Sequence, residues 1–154
     1  MATVKPHKIV LKGDPIYKEL PLEALDVYGV GAIIPGMLCE RTSTNTVQAH
    51  ASAAGQASAI FAVENAIFEG RDIDTAYDSD GEAVLLAYCR PGDEVYAWLA
   101  AGTGQVSVIG GLLGSNGDGF LDVGTVNPIV RALEAIDNDP GTDGAAVRVR
   151  VEVL

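Results

Sequence analysis

The chain has 154 residues, 48% of them apolar, with a formal net charge of −11 and only two cysteines. That length and apolar content suit one domain with its own hydrophobic core, and no apolar run approaches the roughly 20 residues of a membrane-spanning helix. The negative charge argues against direct contact with nucleic acid, because a phosphate backbone calls for a basic footprint.

The charge is unevenly placed. Up to Lys18 the chain carries four lysines (Lys5, Lys8, Lys12, Lys18) against one acid, Asp14, whereas the remainder holds six arginines and twenty acids. Residues 1–18 therefore read as a basic, extended arm, and residues 19–154 as a single β-rich domain. An arm of this kind can seek an acidic surface or add a strand to a partner; an edge strand on the chain's own sheet is the plain alternative. The first residues carry lysines without the long apolar segment of a leader peptide, which predicts cytoplasmic synthesis.

In chain order, residues 3–12 end in a short strand, and Gly13-Asp14-Pro15 breaks it. Residues 17–28 read as either a short helix opening at Pro21 or a loop. Residues 27–40 suggest two strands about a turn at Pro35-Gly36, and residues 46–50 another strand. The Ala/Ser/Gly stretch 51–59 is closer to loop than helix, and residues 60–65 form a further strand candidate. Residues 70–82 are the most acidic segment of the chain.

The next stretch dominates the reading. Two apolar, strand-length runs, 82–89 and 94–100, flank Arg90-Pro91-Gly92-Asp93, which predicts a β-hairpin. A Pro-Gly type II turn has the wrong twist for a two-residue hairpin, so a longer loop is equally admissible. Neither run alternates with polar residues: Val84, Leu86 and Tyr88 oppose Leu85, Ala87 and Cys89, and Val95, Ala97 and Leu99 oppose Tyr96, Trp98 and Ala100. Both faces then need cover, from an added layer or from a neighbouring subunit. Tyr88, Tyr96 and Trp98 are the candidate subunit contacts.

Residues 106–113 read as a strand with a bulge at Gly110-Gly111, residues 115–119 as a turn, and residues 129–136 as one strand. The clearest strand is the last, where Val147, Val149, Val151 and Val153 alternate with Arg148, Arg150 and Glu152. About nine or ten short strands result, which predicts a mainly β fold, a small barrel or sandwich with an extended N-terminal arm.

No catalytic or metal-binding constellation emerges, and no cofactor is expected. His7 and His50 lack ligand spacing, Gly102-Thr103-Gly104-Gln105 lacks the lysine of a phosphate loop, and Ser58 and Ser107 have no nucleophile-elbow frame. The acids of 72–82 miss the calcium-loop spacing, so a solvated turn is expected there. Cys39 and Cys89 read as free thiols.

Several ordered blocks carry a resemblance. They are Gly13-Asp14-Pro15, Pro35-Gly36-Met37-Leu38, Thr46-Val47-Gln48-Ala49-His50-Ala51 and Phe61-Ala62-Val63-Glu64-Asn65, then Arg71-Asp72-Ile73-Asp74-Thr75 and Arg90-Pro91-Gly92-Asp93-Glu94-Val95-Tyr96-Ala97, with Ala132-Leu133-Glu134-Ala135-Ile136-Asp137 and the terminal Arg148-Val149-Arg150-Val151. Together these resemble head decoration, or capsid cement, proteins of tailed bacteriophages. The resemblance implies a non-enzymatic virion protein that sits on the capsid exterior as a homotrimer and clamps contacts between major capsid proteins. With it, Lys5, Lys8, Ile9 and Lys12 become candidate capsid contacts, and loss of residues 1–12 is expected to leave a folded trimer. Another virion component, such as a tail-tube or fibre-base protein, and a small-molecule-binding β-barrel are the alternatives.

Overall fold

The computed structural model describes residues 5–23, 32–43, 45–65, 70, 72–79, 81–124, 126–139 and 145–154. The described residues form thirteen short strands and no helix: β1 (Val10–Lys12), β2 (Ile16–Pro21), β3 (Cys39–Arg41), β4 (Val47–Ala49), β5 (Ile60–Ala62), β6 (Ala83–Tyr88), β7 (Glu94–Leu99), β8 (Val106–Ser107), β9 (Leu112–Ser115), β10 (Leu121–Val123), β11 (Val130–Ala132), β12 (Ile136–Asp137) and β13 (Val147–Val153).

Five strands close a barrel in the order β7-β10-β9-β11-β13, with β13 returning to pair with β7. Every pairing is antiparallel except β7 with β10, where Leu121 lies against Leu99. A barrel this narrow is filled by side chains. Val95, Ala97, Leu99, Leu113, Leu121, Val130, Val149 and Val151 point inward and are essentially without solvent exposure. The alternation read along β13 is what supplies its share of that interior.

β1 lies antiparallel along the start of β7, pairing Val10 with Val95 and Lys12 with Glu94. β2, β6 and β5 form a separate three-stranded sheet with β6 at its centre. Phe61 and Ala87 of that sheet join the barrel-side core, whereas Ile60, Ala62, Val84 and Leu86 join a second core with Leu22, Ile33, Met37, Val47 and Tyr77. β3–β4 and β8–β12 are two-stranded ribbons.

Four expectations need correction. β6 and β7 are not a hairpin: they belong to different sheets. The turn between them is real, with Asp93 N donating to Arg90 O at 3.0 Å and Gly92 at φ 92°. Its type II twist splays the flanking strands, so each finds other partners. The two-faced apolarity of β6 is thereby met inside one chain, by a core on each side, and gives no argument for a subunit contact.

Second, residues 17–21 belong to a strand, not a helix or loop, and β2 runs across the expected boundary at residue 18. The basic segment is thus built into the body's sheets. The third concerns residues 129–136, which split into β11 and β12 because the chain leaves the barrel after Ala132 and pairs next with β8. The fourth concerns residues 106–113, which are not one bulged strand: a turn at 108–111 separates β8 from β9, and the two lie in different sheets. Most of the first strand expected within residues 27–40 lies outside the described residues; Ile33 makes a bridge to Tyr77.

Candidate functional site

The lysines of the basic segment all reach solvent. Lys5, Lys8, Lys12 and Lys18 are exposed, while Ile9 between them is fully buried. Ile9 is fixed by its backbone as well as its side chain: its N–H donates to Glu64 Oε2 at 3.0 Å, and its carbonyl accepts from Tyr96 N at 2.7 Å. Of the four candidate capsid contacts, Ile9 is therefore committed to the chain's own core. Of the other three, Lys8 and Lys12 form an exposed basic edge, and Lys5, also exposed, lines a separate cavity with Asp72 and Asp74. Lys12 Nζ lies 3.7 Å from Glu94 Oε2, a solvent-facing pair of little energetic weight. Beside this edge runs a groove of about 560 Å³, lined by Val10, Leu11, Tyr17 and Leu85 together with Lys8, Lys12 and Glu64.

The three candidate subunit contacts have intramolecular roles. Trp98 is half-buried; its Nε1 donates to Pro35 O at 2.9 Å and its ring meets Phe120 at 6.4 Å between centroids. Arg148 on the neighbouring β13 lies over it, with the guanidinium carbon 4.4 Å from the Trp98 ring and 5.9 Å from that of Tyr96. The same guanidinium donates to Asp74 Oδ1 at 2.9 Å and to the carbonyls of Pro35 and Ile73. Burial, then the Glu134 carboxylate, pushes the Tyr96 phenol above its ordinary value. Tyr88 carries Lys18 Nζ 4.9 Å from its ring centre. Sequence alone showed Arg148 as the wet position of an alternating strand; nothing there marks it as the clamp between β13, β7 and the 72–74 turn.

A second constellation was invisible in sequence because its members are 65 residues apart. His50, almost fully buried, places Nδ1 2.6 Å from Ser115 Oγ, and its Nε2 lies 3.2 Å from Gln56 O and 3.6 Å from Glu40 Oε2. Serine, histidine and a carboxylate suggest acyl chemistry, but the geometry opposes it. Ser115 is fully buried and its hydroxyl also accepts from Gly117 N at 3.1 Å, so the oxygen has no approach to an outside substrate. Because Nε2 faces a carbonyl and a carboxylate, it carries the proton, and Ser115 serves Nδ1 as a hydroxyl partner. The group staples the 51–59 loop to the barrel.

The acidic turn at 72–75, besides its contacts with Arg148, is closed as an Asx turn, Asp72 Oδ1 accepting from Asp74 N and Thr75 Oγ1, both at 2.9 Å. Those bonds, the Thr75 hydroxyl first, hold the Asp72 carboxyl below its usual range.

Cys39 and Cys89 are free thiols, and burial pushes each from 9.0 up to about 12. In the unfolded chain they ionise near pH 9, while the folded chain keeps their protons. Stability is therefore unaffected by them below about pH 9 and falls as pH rises from there toward 12. Urea midpoints across this range should show that decline, and replacing both cysteines with valine should flatten it. An unchanged slope in the double variant would assign the decline to other groups.

No protein-family model matches the chain, and no curated protein shows significant similarity to it.

Proposed function

We propose that this protein is a phage head decoration protein, binding the outer surface of a capsid as a trimer and strengthening contacts between major capsid proteins. One observation carries the reading: four exposed lysines stand along β1, β2 and the residues just before them, on a molecule whose net charge is −11. A cationic edge on an anionic body orients the molecule toward an acidic surface, raising on-rate and fixing register. The adjoining groove offers apolar walls to whatever that surface projects. The resemblance of the ordered sequence blocks to capsid cement proteins supplies the identity of the surface, and closure of the Ser115–His50 pair favours adhesion over catalysis. In this reading the protein is made in the host cytoplasm, and its partners are the major capsid protein and its own copies.

The direct test mixes purified protein with expanded, undecorated phage heads and measures co-sedimentation. Wild type is expected to pellet with the heads. Lys8→Glu/Lys12→Glu should lower head affinity at least about tenfold, roughly 1.4 kcal/mol, with unchanged thermal stability because both side chains are exposed. Rising salt should erode wild-type binding in parallel. A charge-reversed variant that pellets as well as wild type would remove the basic edge from the interface.

A further inference from the structure

The segment between β8 and β9 breaks the usual rule for turns. Gly111 N donates to Val108 O at 2.8 Å and Gly110 sits at φ 85°, which makes residues 108–111 a turn with the glycine where a positive φ is required. The position before that glycine, at the tip, holds Ile109, which is 74% exposed. Val106, Val108 and Leu112 beside it are 39%, 59% and 47% exposed. Four branched aliphatic side chains therefore face water on one turn and its two flanking strands. A lone exposed aliphatic needs no explanation, but a group of them at one place marks a contact surface.

Two charge features identify the occupant. From Ala97 to Gly117 the chain has no charged residue, although its net charge is −11. Two identical acidic molecules repel over most of their surfaces and approach without penalty at an uncharged patch. A basic partner would gain nothing there and would settle on the acidic surface instead. The rim is also self-complementary: Arg131 is paired across the strands with Leu112, and Asp137 with Val106, both charges exposed. One cation and one anion on neighbouring parts of the same rim let the cation of one copy meet the anion of the next. An apolar centre within a polar rim is the anatomy of a specific protein contact.

We infer that the 106–112 turn, with Ile109 at its tip and Arg131 and Asp137 on its rim, is the surface through which copies of this chain contact one another. The inference rests on the oligomeric half of the proposed function and moves the contact away from Tyr88, Tyr96 and Trp98. The test needs no capsid: sedimentation equilibrium of wild type, of Val108→Asp/Ile109→Asp, and of Val126→Asp, whose side chain is 81% exposed on a different loop. Wild type and Val126→Asp should associate, approaching three times the 16.0 kDa chain mass. The double variant should be monomeric at the same concentrations, its dissociation constant raised at least about a hundredfold, with an unchanged thermal midpoint for the single chain. Ile109→Ser, a milder change at the exposed tip, should weaken association in the same direction and guards against misfolding of the double variant. Association undiminished in both variants, or a wild type that stays single at every concentration, overturns the inference. Head co-sedimentation by wild type reports separately on the capsid reading, so either can fail alone.

Discussion

Removing residues 1–12 is expected to unfold the protein, not to release a body without its arm. Ile9 is fully buried against the barrel-side core, and truncation opens that space. Deleting a buried aliphatic of this size costs about 2–5 kcal/mol. The truncation also strips β7 of its β1 partner and leaves the Glu64 carboxylate without the Ile9 N–H. Against the roughly 5–15 kcal/mol that holds a typical domain together, a combined loss of more than about 4 kcal/mol leaves a chain that is marginal at best. Urea denaturation of the truncated chain, of Ile9→Ala and of Lys8→Glu/Lys12→Glu should rank them in that order, with the charge variant close to wild type. A truncated protein with the wild-type midpoint would show that β1 is dispensable to the fold. The ranking matters for function, since loss of head binding on truncation would report misfolding, and only the exposed lysines test the contact.

Trp98→Ala should lower unfolding stability by about 3 kcal/mol, and by the same amount at every protein concentration. The indole is wedged between Phe120 and the Arg148 guanidinium and donates to Pro35 O. Truncation removes its packing, a cation–π contact and a hydrogen bond, all within one chain. A subunit-interface residue would behave otherwise, since its loss would matter more as concentration rises through the association range. Denaturation at two concentrations a hundredfold apart therefore separates the two roles. A concentration-dependent loss would return Trp98 to an interface.

What was legible in the sequence was periodicity and turn chemistry. β13 announced itself through valines at every second position, and its buried face is the one those valines predict. The turn at Arg90-Pro91-Gly92-Asp93 and the Asx-type turn at 116–118 also formed where their residues predicted them. Partner choice was not legible. β6 and β7 look like two arms of a hairpin, and only their other neighbours decide otherwise. Asp93 shows how: its carboxylate accepts from Arg90 N at 2.8 Å and Asp14 N at 3.3 Å, while its backbone oxygen accepts from Val153 N, tying the corner to segments far away in sequence. The basic edge was visible as charge, but Ile9 looked like one more arm residue because burial on a distant strand leaves no local trace. The His50–Ser115 pair was hidden for the same reason. Residues 106–113 read as one bulged strand, since composition shows neither the turn at 108–111 nor whether an aliphatic is covered or left uncovered.

The neighbours of β7 have a kinetic consequence. Val95 pairs with Val10 on one side and with Val151 on the other, and Leu99 meets Leu121. None of these contacts can be made by a chain folding on itself locally, so closure of the barrel waits on segments that must first find each other by diffusion. Topologies of this kind reach their native state in milliseconds to seconds, slower than helical domains of like size. During that interval the apolar strands stand uncovered, and crowding of newly made copies becomes a hazard that the strong common charge, by keeping unfinished chains apart, serves to limit.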